Sequence, residues 1–142
     1  MEYPDMKLPL IRLTLSIVML VSLAGCNKVK SYQSGVDLGS VLSKYETMIR
    51  WGQLEQTYGF LEPELAAKSR LQTGLDNVRI TGYQVVMRAV LLDETTATQT
   101  VKISFVLKDR QVERSIIDEQ QWVSDEEETR HWWRANPIPE YR

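Results

Sequence analysis

The hydrophobic period of this chain changes once, and that change limits its possible folds more than any other feature. From Leu38 to Gly52, apolar residues return at spacings of three and four: Leu38, Val41, Leu42, Tyr45, Met48 and Ile49. That spacing lays them along one face of a helix. From Val78 onward the period is two, which is the period of a strand. A helix followed by an uninterrupted series of strands predicts an α+β fold, with the helix covering one face of the sheet.

The helix is expected over residues 38–51, with Asp37 as its N-cap. Trp51, Leu54, Tyr58 and Leu61 continue a helical spacing, so Gly52 marks a kink or a break between two helices. Pro63 stops the second one, because the residue before a proline is pushed out of the helical region. Pro63 to Leu71 allows one further short helix, ended by Gly74.

Four strands are expected after it. The first runs from Val78 to Leu91 with apolar residues on both sides, which predicts either burial of both faces along part of its length or a bulge near Gly82. The second places Ala97, Gln99, Val101, Ile103, Phe105 and Leu107 on one face, with Thr98, Thr100, Lys102, Ser104, Val106 and Lys108 on the other. The third carries Val112, Arg114, Ile116, Asp118, Gln120 and Trp122. The fourth is expected within Thr129 to Ala135, before Pro137 and Pro139. The turns at Asp93–Thr96, Lys108–Arg110 and Ser124–Glu128 are short, and short turns demand antiparallel neighbours. The expectation is a curved four-stranded antiparallel meander packed by the N-terminal helix and one or two short helices.

The first twenty-six of the 142 residues carry an address. Lys7 and Arg12 precede an uncharged run from Leu13 to Leu23, and Ala24, Gly25 and Cys26 follow. This is the pattern of an export signal, and the run is shorter than the about 20 apolar residues of an ordinary membrane span. Glu2 and Asp5 are unusual in such a leader, and Met6 makes a more conventional start than Met1. Leu23-Ala24-Gly25-Cys26 resembles a bacterial lipobox. The resemblance implies that residues 1–25 are a lipoprotein signal peptide and that Cys26 carries acyl chains such as palmitate. One chain binds a membrane only reversibly, whereas two or three make a stable anchor. Asn27, rather than aspartate, stands after the cysteine. By resemblance to Gram-negative lipoproteins, this implies transfer to the outer membrane, with the domain facing the periplasm. Residues 26–37 then form the lipidated cysteine and a flexible polar tether, and residues 38–142 a single domain.

The mature part carries a second resemblance. Trp51-Gly52-x-Leu54 with Tyr58 behind it, Phe60-Leu61-x-Pro63-Glu64, and the curved meander look like the cystatin-like and nuclear transport factor two-like cone folds. Asp118-x-Gln120-x-Trp122 and the ending Trp133…Pro137-x-Pro139 are similar to those of small uncharacterised lipoproteins of Gram-negative bacteria. The cone fold hosts enzymes, ligand carriers and assembly modules alike, so the resemblance implies no single activity.

Composition excludes several classes of function. Lys and Arg number 17 against 19 Asp and Glu, which argues against a basic nucleic-acid binder. One cysteine and one histidine leave no zinc cluster, and no intramolecular disulfide can form. No phosphate-cradling, nucleotide-binding or nucleophile-elbow motif is present, so neither a cofactor nor a nucleotide is expected. His131 reads as a surface histidine. Asp118, Glu119 and Asp125 to Glu128 lack the glycine of a calcium loop and read as a solvated acidic turn. Tyr83 with Asp118 or Asp93 is a conceivable acid–base pair, but nothing in the spacing brings them together. Trp51 and Trp122 are expected to pack helix against sheet. Adjacent Trp132 and Trp133 must point to opposite faces of a strand.

These features predict a non-enzymatic binding or accessory module for an envelope protein. Tyr83, Trp122, Trp132 and Trp133 are its candidate contacts, and its sheet edge is a further docking element. The alternative is a carrier of a small apolar ligand in an open cavity lined by Tyr83, Phe105 and Trp122. An enzyme of the same fold comes third. The anchor is directly testable: Cys26→Ala should abolish incorporation of a clickable fatty acid. Continued labelling of the alanine variant would refute the lipobox reading.

Overall fold

A computed structural model describes residues 37–125 and 131–142 of the chain. Residues 1–36, on which the expected export signal, Cys26 and the expected tether fall, and residues 126–130 of the expected acidic turn lie outside the described residues. The remainder is an α+β fold. Helix α1 (residues 37–51) leads into a 3-10 helix, Leu54–Phe60, and then a short helix α2, Pro63–Lys68. A 3-10 turn at Leu75–Asn77 opens the sheet. Strands β1 (Val78–Leu91), β2 (Thr96–Leu107), β3 (Glu113–Ser124) and β4 (Trp132–Arg134) follow in spatial order β1-β2-β3-β4, every pair antiparallel. The sheet is an open meander.

Helix α1 buries Leu38, Tyr45 and Ile49 and half-buries Val41, Leu42 and Met48, the face its spacing predicts. Asp37 is already helical rather than the cap before the helix. Gly52 does end the helix, and its N–H still bonds the Met48 carbonyl at 2.9 Å. A Cβ there would come within 2.7 Å of that same carbonyl oxygen, so the break needs glycine. Trp51 departs from expectation: it is 79 % exposed rather than packed against the sheet. Two residues beyond Ile49 is a rotation of about 200° around a helix, which turns Trp51 away from the core. The segment after Gly52 winds as a 3-10 helix rather than a second α-helix. α2 stops at Lys68, well before Gly74, whose left-handed φ of 80° serves the next turn instead.

In β2 the alternation holds as far as Phe105 and fails at the end of the strand, where Val106, expected on the outer face, is buried and Leu107 is only half-buried. Ala97, Gln99, Val101, Ile103 and Phe105 are buried, facing α1 and the C-terminal segment, whereas Thr98, Thr100, Lys102 and Ser104 face outward. β1 resolves the earlier alternative in favour of the bulge. Register shifts fall between Ile80 and Gly82, between Val85 and Met87, and between Met87 and Val90. The two-sided burial does not occur, and Val85, Val86, Met87 and Val90 are exposed. As the first strand of an open sheet, β1 has a neighbour on one side only.

After β4 the chain returns across the buried face. Ile138 and Tyr141 join the core, with the Tyr141 ring edge-on to Phe105 at 5.3 Å. Ile49→Ala should therefore cost about 2–5 kcal/mol in a denaturant titration, the usual range for truncating a buried side chain of this size. Ile117→Ala, on the exposed face of β3, should stay within about 0.5 kcal/mol.

Candidate functional site

Three residues of β3 two apart, Asp118, Gln120 and Trp122, point to the buried face and start a polar network inside the domain. Asp118 is 3 % exposed and Arg134, delivered by β4, is fully buried. Arg134 Nη2 donates to Asp118 Oδ1 at 2.5 Å, and Nη1 donates to Oδ2 at 2.9 Å. This is the two-pronged geometry that makes arginine–carboxylate pairs strong. A guanidinium has five N–H donors, and the remaining three also find acceptors. Nη1 reaches the Tyr45 hydroxyl on α1 at 2.6 Å, Nη2 the Pro137 carbonyl at 2.9 Å, and Nε the Asn136 carbonyl at 3.0 Å.

Gln120 continues the network. Its Nε2 donates to Asp118 Oδ2 at 2.9 Å and to the Tyr83 hydroxyl at 3.2 Å, and its Oε1 accepts from Trp122 Nε1 at 3.3 Å. Taking each ion out of water costs several kcal/mol, which the pairing offsets only when geometry and remaining hydrogen bonds are good. Both conditions hold here. Burial works against the Arg134 charge, but the hydrogen-bonded Asp118 carboxylate more than offsets it, so the guanidinium pKa rises further. Burial pushes the Tyr83 phenol up to about 12, although the hydrogen bond from Gln120 pulls it down. Burial also holds Tyr45 well above the ordinary tyrosine value, against the pull of Arg134.

Tyr83 and Asp118 are thus brought into one network, which their separation in sequence did not foretell. Chemically the arrangement holds charge in place. Asp118 is occupied by Arg134, and Tyr83 stays protonated at neutral pH. Asp118 does not belong to the solvated acidic cluster in which it was expected, because the pleat turns it inward while Glu119 faces water. The spacing of Arg134, Tyr45 and Gln120 in the sequence gives no sign that they join this network. A buried arginine is not signalled by alternation, although Arg134 follows Trp132 at the strand period.

The candidate contact residues divide. Trp122 and Trp132 are buried in the core and cannot meet a partner, which removes both from the candidate contacts, whereas Trp122, edge-on to Tyr45 of α1 at 5.4 Å, packs helix against sheet as expected. The strand places Trp132 inward and Trp133 on the other face, half-buried with its ring 3.9 Å from that of exposed His131. Tyr83 is half-buried and reaches a surface cleft. Cys26 lies outside the described residues. Phe105 and Trp122 are fully packed, so the interior beside them is filled rather than open. No group of three or more His, Cys, Asp or Glu able to hold a metal occurs among the described residues. No described helix is long and apolar enough to cross a membrane.

Two features remain open to solvent. One is the exposed apolar stretch of β1, with Leu92 just beyond it. The other is a cleft of about 470 Å³ between α1 and β1, whose lining includes Leu42, Glu46, Tyr83, Val85, Arg88 and Gln99. Comparison with family models, curated proteins and solved structures finds no match. The chemistry of the site is therefore read from its own geometry.

The ion pair makes a clear energetic prediction. Asp118→Asn leaves the Arg134 charge buried and unbalanced, and should cost about 3–5 kcal/mol of the roughly 5–15 kcal/mol a domain possesses. Replacing both partners together, Asp118→Leu with Arg134→Met, should cost less than the two single changes added. A double-mutant cycle by denaturant unfolding measures this coupling, and strictly additive costs would show that the two charges do not act as a pair.

Proposed function

We propose that this chain is an outer-membrane lipoprotein, anchored through acylated Cys26 and sorted by Asn27. Its domain faces the periplasm as a non-enzymatic binding module for an envelope protein. The observation that carries the binding reading is β1. It is a 14-residue edge strand whose outer half exposes Val85, Val86, Met87 and Val90 on both faces. A long edge strand presents unpaired N–H and C=O groups, and natural proteins usually blunt such edges with charge, proline or a covering element. The outer half of β1 carries one charged residue, Arg88, and no proline. An extended segment of a partner can add to it as a further strand, with main-chain hydrogen bonds giving affinity and side-chain pockets giving specificity.

The interior supports binding over catalysis. Asp118 is the one buried carboxylate among the described residues, and Arg134 occupies both its oxygens. Exposed Trp51, with the Arg50 guanidinium 5.7 Å from its ring, is a second surface a partner can use.

A photo-crosslinking residue placed at Val86 or Met87 of the membrane-anchored protein should trap a discrete envelope partner in intact cells. The same residue at Ile117, equally apolar and exposed but on β3, should not. Val86→Lys should abolish the crosslink formed from Met87 while leaving the melting temperature unchanged. Equal crosslinking from β1 and from Ile117 would refute β1 as the docking edge.

A further inference from the structure

A second cleft, of about 620 Å³, opens where the chain beyond α2 meets the C-terminal segment. That size falls within the range of small-ligand pockets, about 300–1,000 Å³. Residues 69–73 form one wall and residues 137–142 the other, and Tyr58 of the 3-10 helix also lines the space. No residue of β1 belongs to it. The two walls are held together by one side chain. Gln72 Nε2 donates to the Tyr141 carbonyl at 3.0 Å, and the Tyr141 N–H donates back to Gln72 Oε1 at 3.3 Å. The backbone N–H of Gln72 donates to the Tyr58 hydroxyl at 3.1 Å. These bonds fix the cleft in one shape, so a ligand need not pay to order its walls.

The same bonds decide which groups are left for a ligand. The acceptors Gln72 Oε1, the Tyr141 carbonyl and the Tyr58 oxygen are engaged within the walls. The donors are left over. The Tyr58 proton has no acceptor among the described residues, and the exposed Thr73 hydroxyl has no hydrogen-bond partner among them. The exposed Arg70 guanidinium has neither an ion pair nor a hydrogen bond among them. Arg142 and Glu140 pair with each other, and both are exposed, so their charges offset one another locally. Arg70 is therefore the side-chain charge that the cleft leaves unbalanced.

Unused donors around an unbalanced arginine suit a ligand that is anionic and rich in acceptors. The planar guanidinium fork matches two oxygens of a phosphate. A phosphate monoester has three strong acceptor oxygens, one more than a carboxylate, and the spare oxygen answers the two hydroxyls. Leu71, 54 % exposed, and exposed Pro137 give the cleft an apolar rim.

We propose that this cleft binds a phosphate monoester. Arg70 pairs with two of the phosphate oxygens, the Tyr58 and Thr73 hydroxyls donate to the third, and the organic body lies against Leu71 and Pro137. Small soluble esters and the lipid phosphatidic acid both present this group. The site is separate from the docking edge of β1 and from the lipid anchor, so either can fail without the other.

The soluble probe is phenyl phosphate, compared with benzoate, which keeps the ring but carries a carboxylate. Each is titrated in phosphate-free buffer into the ¹⁵N-labelled full-length protein in maltoside micelles and followed by NMR. Short-chain phosphatidic acid added to the micelles is the lipid arm. Phenyl phosphate should shift the backbone signals of Leu71, Gln72 and Thr73 saturably, and benzoate should bind about tenfold more weakly. Arg70→Gln, at an exposed position, should weaken phosphate binding by about tenfold or more with the melting temperature unchanged. Arg110→Gln, an exposed arginine in the turn between β2 and β3, should leave the affinity unaltered. Saturable shifts from phosphatidic acid alone, lost in Arg70→Gln, would place the monoester on a lipid. Absence of saturable shifts from either phosphate up to about 10 mM would overturn the proposal. So would equal affinity for phenyl phosphate and benzoate, or an equal loss in Arg70→Gln and Arg110→Gln.

Discussion

The Asp118–Arg134 pair ties together parts of the chain that nothing else joins so directly. Asp118 comes from β3 and Arg134 from β4. The same guanidinium also holds Tyr45 of α1 and the carbonyls of Asn136 and Pro137 in the C-terminal segment. Helix, sheet and tail therefore meet at one cation. A buried charge tolerates little freedom in its partners, because each lost hydrogen bond leaves a desolvated donor behind. Arg134 thereby fixes where α1 crosses the sheet and how the tail returns under it. The short strand β4 is held in register as well by buried Trp132 and by the bonds from Glu62 N–H to the Arg134 carbonyl and from Ala135 N–H to the Gln121 carbonyl.

That placement of α1 explains the surface as well as the core. Tyr45 sits edge-on to Trp122 at 5.4 Å and to Phe60 at 5.2 Å, so the helix is drawn towards β3 and β4. The far side of the sheet receives less cover. Tyr83 and Val85, opposite Ile103 and Val101 on the helix-facing side of β1, remain partly open, and Gln99 is left beneath a cleft instead of a helix. The exposed edge strand and the open cleft thus share one origin, the asymmetric position of the helix. Bulges in β1 add local twist and keep its outer half from closing over the gap.

Much of the architecture was legible in the residues. The spacing of Leu38, Tyr45 and Ile49 identified the buried helical face, and the alternation from Ala97 to Phe105 identified the buried face of β2. The bulge at Gly82 and the break at Gly52 were marked by glycines. Trp51 faces water although its apolar character predicts burial, because it lies two residues round the helix from Ile49. Trp122 and Trp132 were read as possible contacts for a related reason: type alone does not tell a core aromatic from an exposed one. Asp118 was grouped with the acidic turn because its neighbours in sequence are charged, although the pleat sends it and Glu119 to opposite faces.

What the sequence determined by itself is local: helical and strand periods, the turns between strands and the order of elements. These follow from backbone geometry and from side chains within a few residues of one another. What only the tertiary structure decided is which polar groups would find each other. Arg134 and Asp118 are sixteen residues apart and Arg134 and Tyr45 eighty-nine, separations over which periodicity carries no information. Pairing of buried charge depends on where two strands and a helix meet in space. The ion pair at the centre and the open cleft at the edge are therefore properties of the fold, whereas the elements that build them are properties of the sequence.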